Sequence, residues 1–355
     1  GYTHPTTMRG LSSMDLVKDM KVGWNLGNTL ESKGGETGWG NPKTSMKMID
    51  EIKKAGFNTV RIPVRWDENY TDANDTINSD YMKRVEIVVN YALANDMYAI
   101  INIHHNAIQG EMNAADEDAV INEGSLVWKQ IADHFKDYSD KLIFETINEP
   151  RNEDDWTGKE EYYKVVNDYN AKMLSVIRAT GENNAKRLVM MPTYCASSDY
   201  AKVSAMGVPN DPNVAVSIHA YIPYNFAMNT DTTKGAYSTF GDVDKALIDK
   251  TFRLLDKTFI KKGIPVVIGE FAATNKDNLQ DRVNYAKYYA QAAASYGMSC
   301  CWWDNNSFDS SGTDSMGLFD RKTLTWVYPE IVQALLDGYS TPKDVSNYDE
   351  NLLFS

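Results

Sequence analysis

A single alternation runs through the chain: a short apolar run, a loop, then a segment with helical apolar spacing, repeated eight times. The apolar runs fall near 21–26, 58–63, 98–104, 142–151, 187–191, 214–218, 266–268 and 298–303. The helical segments fall near 45–55, 79–95, 118–135, 159–180, 197–205, 242–262, 279–296 and 328–336. Runs that are apolar on consecutive residues are buried on both faces, as parallel strands require. Their alternation with helices gives βα units. The expected fold is therefore α/β, a single-domain (β/α)8 TIM barrel spanning about 21–338, for which roughly 250 residues is typical. A doubly wound open sheet is the alternative, but no G-x-G-x-x-G follows the first run, which weakens its dinucleotide-binding form. No Pro-, Gly- or Ser-rich linker divides the chain. Residues 1–13 are polar and read as a mobile arm, and 339–355 as a second terminal extension.

The net charge of −13 speaks against nucleic acid or an anionic membrane as partner. No apolar run approaches the roughly 20 residues of a membrane helix. Cys195, Cys300 and Cys301 do not make a disulfide framework. The last two are adjacent in a strand and should face opposite ways, as buried thiols rather than a strained pair. No signal-peptide pattern is visible, which reads as a mature or trimmed chain. Asn69, Asn74 and Asn305 each begin an Asn-x-Ser/Thr triplet, which matters only in a eukaryotic secretory path.

In a barrel of this kind the chemistry gathers where strands end. The first run ends near Asn25, the second carries Arg61, the third ends on His104-His105-Asn106, the fourth on Asn148-Glu149, the fifth leads to Tyr194, the sixth to His219-Ala220-Tyr221, the seventh to Glu270 and the eighth to Trp302-Trp303-Asp304. Two carboxylates from distant strands, Glu149 and Glu270, suit glycoside hydrolysis, with one as acid and one as ionised nucleophile. Arg61 is the natural partner to keep Glu270 ionised. Charge on Glu270 should then raise the Glu149 pKa toward neutrality. Asn148 is placed to bind a sugar hydroxyl, and Tyr221 to orient the nucleophile.

The ordered set W-N-L-G-N (24–28), R-I-P-V-R-W (61–66), H-H-N (104–106), N-E-P (148–150), H-A-Y (219–221), I-G-E-F (268–271) and W-W-D (302–304) resembles glycoside hydrolase family 5, the cellulases of clan A. The likeness is greatest to endoglucanases of rumen and clostridial microbes or anaerobic fungi. It implies a secreted, extracellular, retaining endo-β-1,4-glucanase with Glu149 as acid/base and Glu270 as nucleophile. Arg61, His104, His105, Asn148, His219 and Tyr221 match the family's supporting positions. The family needs no metal or cofactor. The implied partner is a β-glucan, cut by a monomeric catalytic domain that could sit in a larger modular enzyme. Mixed-linkage glucan, xyloglucan, mannan and xylan remain open as substrates, and a non-catalytic sugar-binding barrel is a further alternative.

Other residues are assigned by position. Glu145 lies deeper in its strand than Glu149 and reads as a structural carboxylate. Glu31 reads equally as a loop or a substrate contact. Adjacent His104 and His105 face opposite ways, so a shared metal is disfavoured. Trp128 and Trp326, the latter at the start of the last helix, read as packing. Asn25, Trp39, Trp66, Trp156 and Trp303 are expected to contact substrate, with Trp303 preferred over Trp302 because it is nearer the strand end.

Overall fold

Eight parallel strands close into a barrel in sequence order, the last pairing with the first. A computed structural model describes residues 1–346, so the part of the expected C-terminal extension at 347–355 lies outside the described residues. The strands are β1 Val22–Leu26, β2 Thr59–Ile62, β3 Tyr98–Asn102, β4 Leu142–Glu145, β5 Val189–Pro192, β6 Val214–His219, β7 Val266–Phe271 and β8 Ser299–Asp304. The helices are α1 Ser13–Met20, α2 Met46–Ala55, α3 Ser79–Ala94, α4 Glu117–Phe135, α5 Glu160–Ala179, α6 Tyr200–Ala205, α7 Tyr224–Ala227, α8 Asp242–Thr258, α9 Leu279–Ser295 and α10 Pro329–Tyr339. A small hairpin, β9 Phe319–Asp320 and β10 Thr325–Trp326, follows β8. Trp326 therefore sits in this hairpin, stacked on Phe57, and not at the start of the last helix.

Local chemistry explains the units. In α2 the Ser45 side chain accepts from the Met48 N–H, satisfying one orphan donor of the first turn. Met48, Ile49 and Ile52 face the barrel, and Gly56 ends the helix at φ 117°, a left-handed value that a side chain resists. Strand residues alternate between two cores. Val60, Ile101, Phe144, Val216, Ile268 and Cys300 face the helices, while Ile100, Ile143, Met190, Ala215, Val267 and Cys301 fill the barrel. The adjacent cysteines do face opposite ways, and all three cysteines are free and buried. At the seam, Gly23 of β1 pairs with Cys301 of β8. A Cβ on Gly23 would lie 2.5 Å from the Cys301 Sγ, so glycine is required there for space.

The N-terminal segment is not the mobile arm that its polarity suggested. Arg9 forks onto Asp140 and donates to the Tyr98 hydroxyl, His4 stacks on Tyr138 at 3.8 Å, and Pro5 accepts from the Ser139 N–H. These contacts lead into α1, whose Leu16, Val17 and Met20 join the barrel's inner core and plug its lower end. Three apolar residues in one short helix are a faint signal, and only barrel closure gives them a partner. Met20 is fully buried in that plug. Met20→Ala should cost about 2–5 kcal/mol of stability in urea unfolding, by lost transfer energy plus the cavity left behind.

Candidate active site

Above the apolar plug the barrel interior turns polar, and its centre is Arg61. The guanidinium is fully buried, and all five of its N–H groups have acceptors. Nε and Nη2 donate to Glu145 Oε1 at 3.1 and 2.7 Å, and Nη2 also to Asn148 Oδ1 at 2.9 Å. Nη1 donates to Asn25 Oδ1 at 3.0 Å and to Glu270 Oε2 at 2.8 Å. Burial opposes the charge on Arg61, but Glu145 and Glu270 outweigh it and hold the guanidinium pKa above its ordinary value. Glu145 takes further bonds from Asn102 and Ser217 and is fully buried, so it is part of the barrel wall.

Strict strand alternation would turn Glu270 to the outer side with Ile268. A register irregularity between Ile268 and Phe271 turns it into the mouth instead, opposite His219. There its second oxygen accepts from the Tyr221 hydroxyl at 2.5 Å. Glu149 stands past the end of β4, with Oε2 2.7 Å from His219 Nδ1. His219 Nδ1 is also 3.6 Å from Glu270 Oε2. Burial pushes Glu149 up, but the hydrogen bond and charge of His219 outweigh it, and the net shift is downward. His219 moves the opposite way: burial lowers it, and the charges of Glu270 and Glu149 with the Glu149 hydrogen bond raise it. In the free site Glu149 is thus held below the usual carboxylate range, contrary to the expected rise. The reason is a histidine 70 positions along the chain, brought within hydrogen-bond distance by β6.

The other strand ends fill in the mouth. Asn102 donates to Glu145 and to His104 Nδ1 at 3.0 Å, so His104 carries its proton on Nε2. Burial, then the charges of His105 and Arg61, keep His104 well below its ordinary pKa. His105 is pushed down to about 4, first by burial and then by Arg65. Trp303 lies flat against His104, ring centres 6.0 Å apart. Trp39 and Trp156 are 44% and 52% exposed. Trp39 sets its edge toward His105, and Trp156 lies under the Arg151 guanidinium at 4.3 Å. Two expected substrate contacts are corrected. Trp66 is fully buried, donates its N–H to the Asn102 carbonyl and presents no face to the mouth. Asn25 is equally buried, with its amide N–H groups on backbone carbonyls of β7 and β8, and it orients Arg61.

Two hollows open here. One of about 430 Å³ is lined by Asn28, His104, His105, Asn148, Glu149, Glu270 and Trp303, among others. The other, of about 810 Å³, shares Glu149, Tyr221 and Met228 with the first and runs out past His219, Ser197, Trp156 and Leu247. Motif reading missed Gln109. Its Oε1 accepts from both Asn148 Nδ2 and the Glu149 N–H at 2.9 Å, and its Nε2 faces His105 Nδ1 at 3.4 Å. Its only sequence signal is a position three residues after H-H-N. Glu31 resolves as a loop contact: fully buried, it accepts from the Asn28 and Thr29 N–H groups and fixes the turn that carries Asn28 to the mouth.

A family model described as cellulase, glycosyl hydrolase family 5, matches residues 25–309. Endoglucanase A of Clostridium longisporum is 44% identical over 96% of this chain and 68% of its own length. A solved GH5-4 broad specificity endoglucanase from Clostridium cellulovorans is 70% identical, covering 96% of this chain and all of that one, with a TM-score of 0.93. A GH5-4 broad specificity endoglucanase from Ruminococcus champanellensis, solved with bound cellotriose, is 42% identical over 93% of this chain and 100% of that one, with a TM-score of 0.89.

Two outcomes test this geometry. Gln109→Leu leaves the Glu149 N–H and the Asn148 amide without their acceptor, and kcat should fall on the order of 10-fold or more with the circular dichroism of the fold kept. Burial pushes Glu31 up from 4.5 to about 7. Its folded pKa is above its unfolded one, so its favourable share is complete below 4.5 and lost as pH rises to 7. Across that window Glu31→Gln should escape a loss on the order of 3 kcal/mol that the parent suffers. Paired melting curves at each pH measure it, and a constant offset between the two proteins would refute it.

Proposed function

The chain belongs to the cellulase family, glycosyl hydrolase family 5, and from that membership we infer that it is a retaining endo-β-1,4-glucanase, cutting internal bonds of cellulose and related β-glucans. The observation that carries the mechanism is the carboxylate spacing. One oxygen of Glu149 lies within 4.8 Å of one oxygen of Glu270. Retaining enzymes hold their carboxyl groups about 5–5.5 Å apart, whereas inverting ones leave about 6.5–9.5 Å for a water.

In this reading Glu270 is the nucleophile. Arg61 and Tyr221 hold one oxygen each, and the arginine stabilises the negative form that attacks the anomeric carbon. Glu149 is the acid/base. The proton it gives to the leaving oxygen is held within its 2.7 Å pair with His219. Attack converts Glu270 to a neutral ester, which removes the largest charge holding a proton on His219. Glu149 is then free to take the proton of the incoming water. Asn148, fixed by Arg61 and Gln109, turns its remaining amide N–H toward a sugar hydroxyl. Trp303, backed by His104, offers a flat face to a pyranose ring. Trp39 and Trp156 serve more distant sugars. Glu149, His219 and Glu270 bring ligand atoms close enough for a cation, but the buried Arg61 guanidinium already supplies the countercharge, and the reading uses no metal or cofactor.

The substrate follows the relatives: the cellotriose complex supports a β-1,4-glucan in the mouth. The broad specificity named for the Clostridium cellulovorans relative favours activity on mixed-linkage β-glucan as well, with xyloglucan, mannan and xylan behind it. An extracellular, monomeric catalytic domain completes the reading, alone or with further modules in the full protein. Among the described residues no helix is long and apolar enough to cross a membrane.

Glu149→Gln and Glu270→Gln should each lose activity on carboxymethylcellulose by roughly 10³-fold or more, with the fold kept. Proton NMR of early hydrolysis should show the β-anomer first. With an activated aryl cellobioside and azide, Glu149→Ala should give the β-glycosyl azide and Glu270→Ala the α-azide. The reverse pattern would exchange the two roles.

A further inference from the structure

Glu149, Tyr221 and Met228 line both hollows, and of the three Met228 stands farthest from a strand end. It caps α7, a helix of four residues in the long loop between β6 and α8. One helical turn has no stability of its own, so α7 must be placed from outside. The loop after β7, 272–278, places it. The Thr274 N–H donates to the Ala227 carbonyl at 2.9 Å, and Asn278 Nδ2 to the Ser238 carbonyl at 2.8 Å. Between them Lys276 Nζ donates to the carbonyls of Asn225, Phe226 and Tyr237, each at 2.9 Å. Asn225 and Phe226 belong to α7, and Tyr237 lies on the returning limb of the same loop, so one ammonium joins both limbs. No uncharged side chain carries three N–H groups on a single nitrogen, and a guanidinium spreads its donors in a plane. Carbonyl oxygens gathered on one point repel each other unless a cation stands between them. Burial pushes Lys276 down to about 8, so the ammonium form prevails at neutral pH. The loop that carries Lys276 is itself braced from its other side. The Asn275 N–H donates to the Ser315 carbonyl and Asn275 Nδ2 to the Phe308 carbonyl, both at 2.9 Å, in the loop after β8.

We propose that Lys276 is a positioning residue for the reaction: its ammonium holds α7 and Met228 at the junction of the two hollows, so that the mouth is already formed when a β-glucan chain arrives. The proposal rests on the hydrolase reading above. Without the ammonium the loop takes its closed position for only part of the time. A chain that binds only the closed form then binds more weakly by that fraction. The chemistry of the bound chain is spared, because the nucleophile's partner is held separately. The Ala220 N–H donates to the Glu270 carbonyl at 3.1 Å, and the Ala220 carbonyl accepts from the Tyr289 hydroxyl at 2.9 Å. Tyr221 therefore keeps its place beside Glu270 whatever the loop beyond it does. The signature of Lys276 is a KM that rises against a steady kcat.

The test measures kcat and KM on cellotetraose for the parent chain and two variants, with circular dichroism as the check on the fold. Lys276→Met keeps the apolar stem and loses the donors. Lys276→Ala loses both and leaves room for propylammonium, which has the length of the missing part. KM should rise about tenfold in each variant, as for a loop closed about a tenth of the time, with kcat within about twofold of the parent. Propylammonium at millimolar concentration should bring the KM of Lys276→Ala back to within about threefold of the parent. Tetramethylammonium and 1-propanol, which lack the three N–H donors, should leave it raised. Lys276→Met carries the test alone where Lys276→Ala does not fold. An unchanged KM in the folded variants, a loss carried by kcat alone, or equal recovery with 1-propanol would overturn the role of Lys276 and leave the hydrolase reading standing. No turnover of cellotetraose by the parent would overturn both.

Discussion

One buried guanidinium organises the upper half of this barrel. A charge without water is costly, and Arg61 is tolerable only because four acceptor oxygens take its five N–H bonds. Those acceptors come from β1, β4, β7 and the turn after β4. The requirement therefore reaches across the whole ring of strands. Glu145 and Asn25 give it one oxygen each, their other atoms are held by Ser217 and by backbone carbonyls of β7 and β8, and they have nothing left for substrate. Glu270 and Asn148 are committed on one side and open on the other. Arg61 takes one oxygen from each of the four, so the division between structural and reactive groups follows from what holds the rest of each group.

The same layer sets the electrostatics of the mouth. Two carboxylates bond Arg61 directly, and Glu149 stands beside His219. His104 and His105 are kept neutral by burial and by surrounding positive charge, which leaves them as directional hydrogen-bonding groups. A neutral imidazole with its proton fixed on one nitrogen recognises a hydroxyl without adding charge. Below the layer lies the apolar plug of α1 and the inner strand residues. The plug denies the polar layer water from beneath and keeps its geometry stiff.

Much of this was legible in the residues. Eight doubly buried strands announced themselves by consecutive apolar runs, and the strand-end rule collected Arg61, both histidines, Asn148, Glu149, His219, Tyr221, Glu270 and Trp303. What escaped depended on three-dimensional context. Trp66 sits near a strand end like the other aromatics, yet its loop folds back and buries it. The α1 plug has too few apolar positions to stand out before the barrel closes over it. Gln109 carries no motif, and its importance is two hydrogen bonds made 39 and 40 residues away. The sign of the Glu149 shift hung on which partner reached it first. Sequence shows the neighbouring carboxylate and histidine, but not their distances.

The glycine notch at the seam bears on how the barrel finds its closed form. β1 and β8 are the strands farthest apart in the chain, so their pairing has the largest loop to close. A slip of one residue would set Val22 or Trp24 against Cys301, where only the missing side chain of Gly23 leaves space for the sulfur. Sulfur and notch together act as a gauge of registration. They admit one alignment of the final strand and reject its neighbours by collision, where backbone hydrogen bonding alone would accept several.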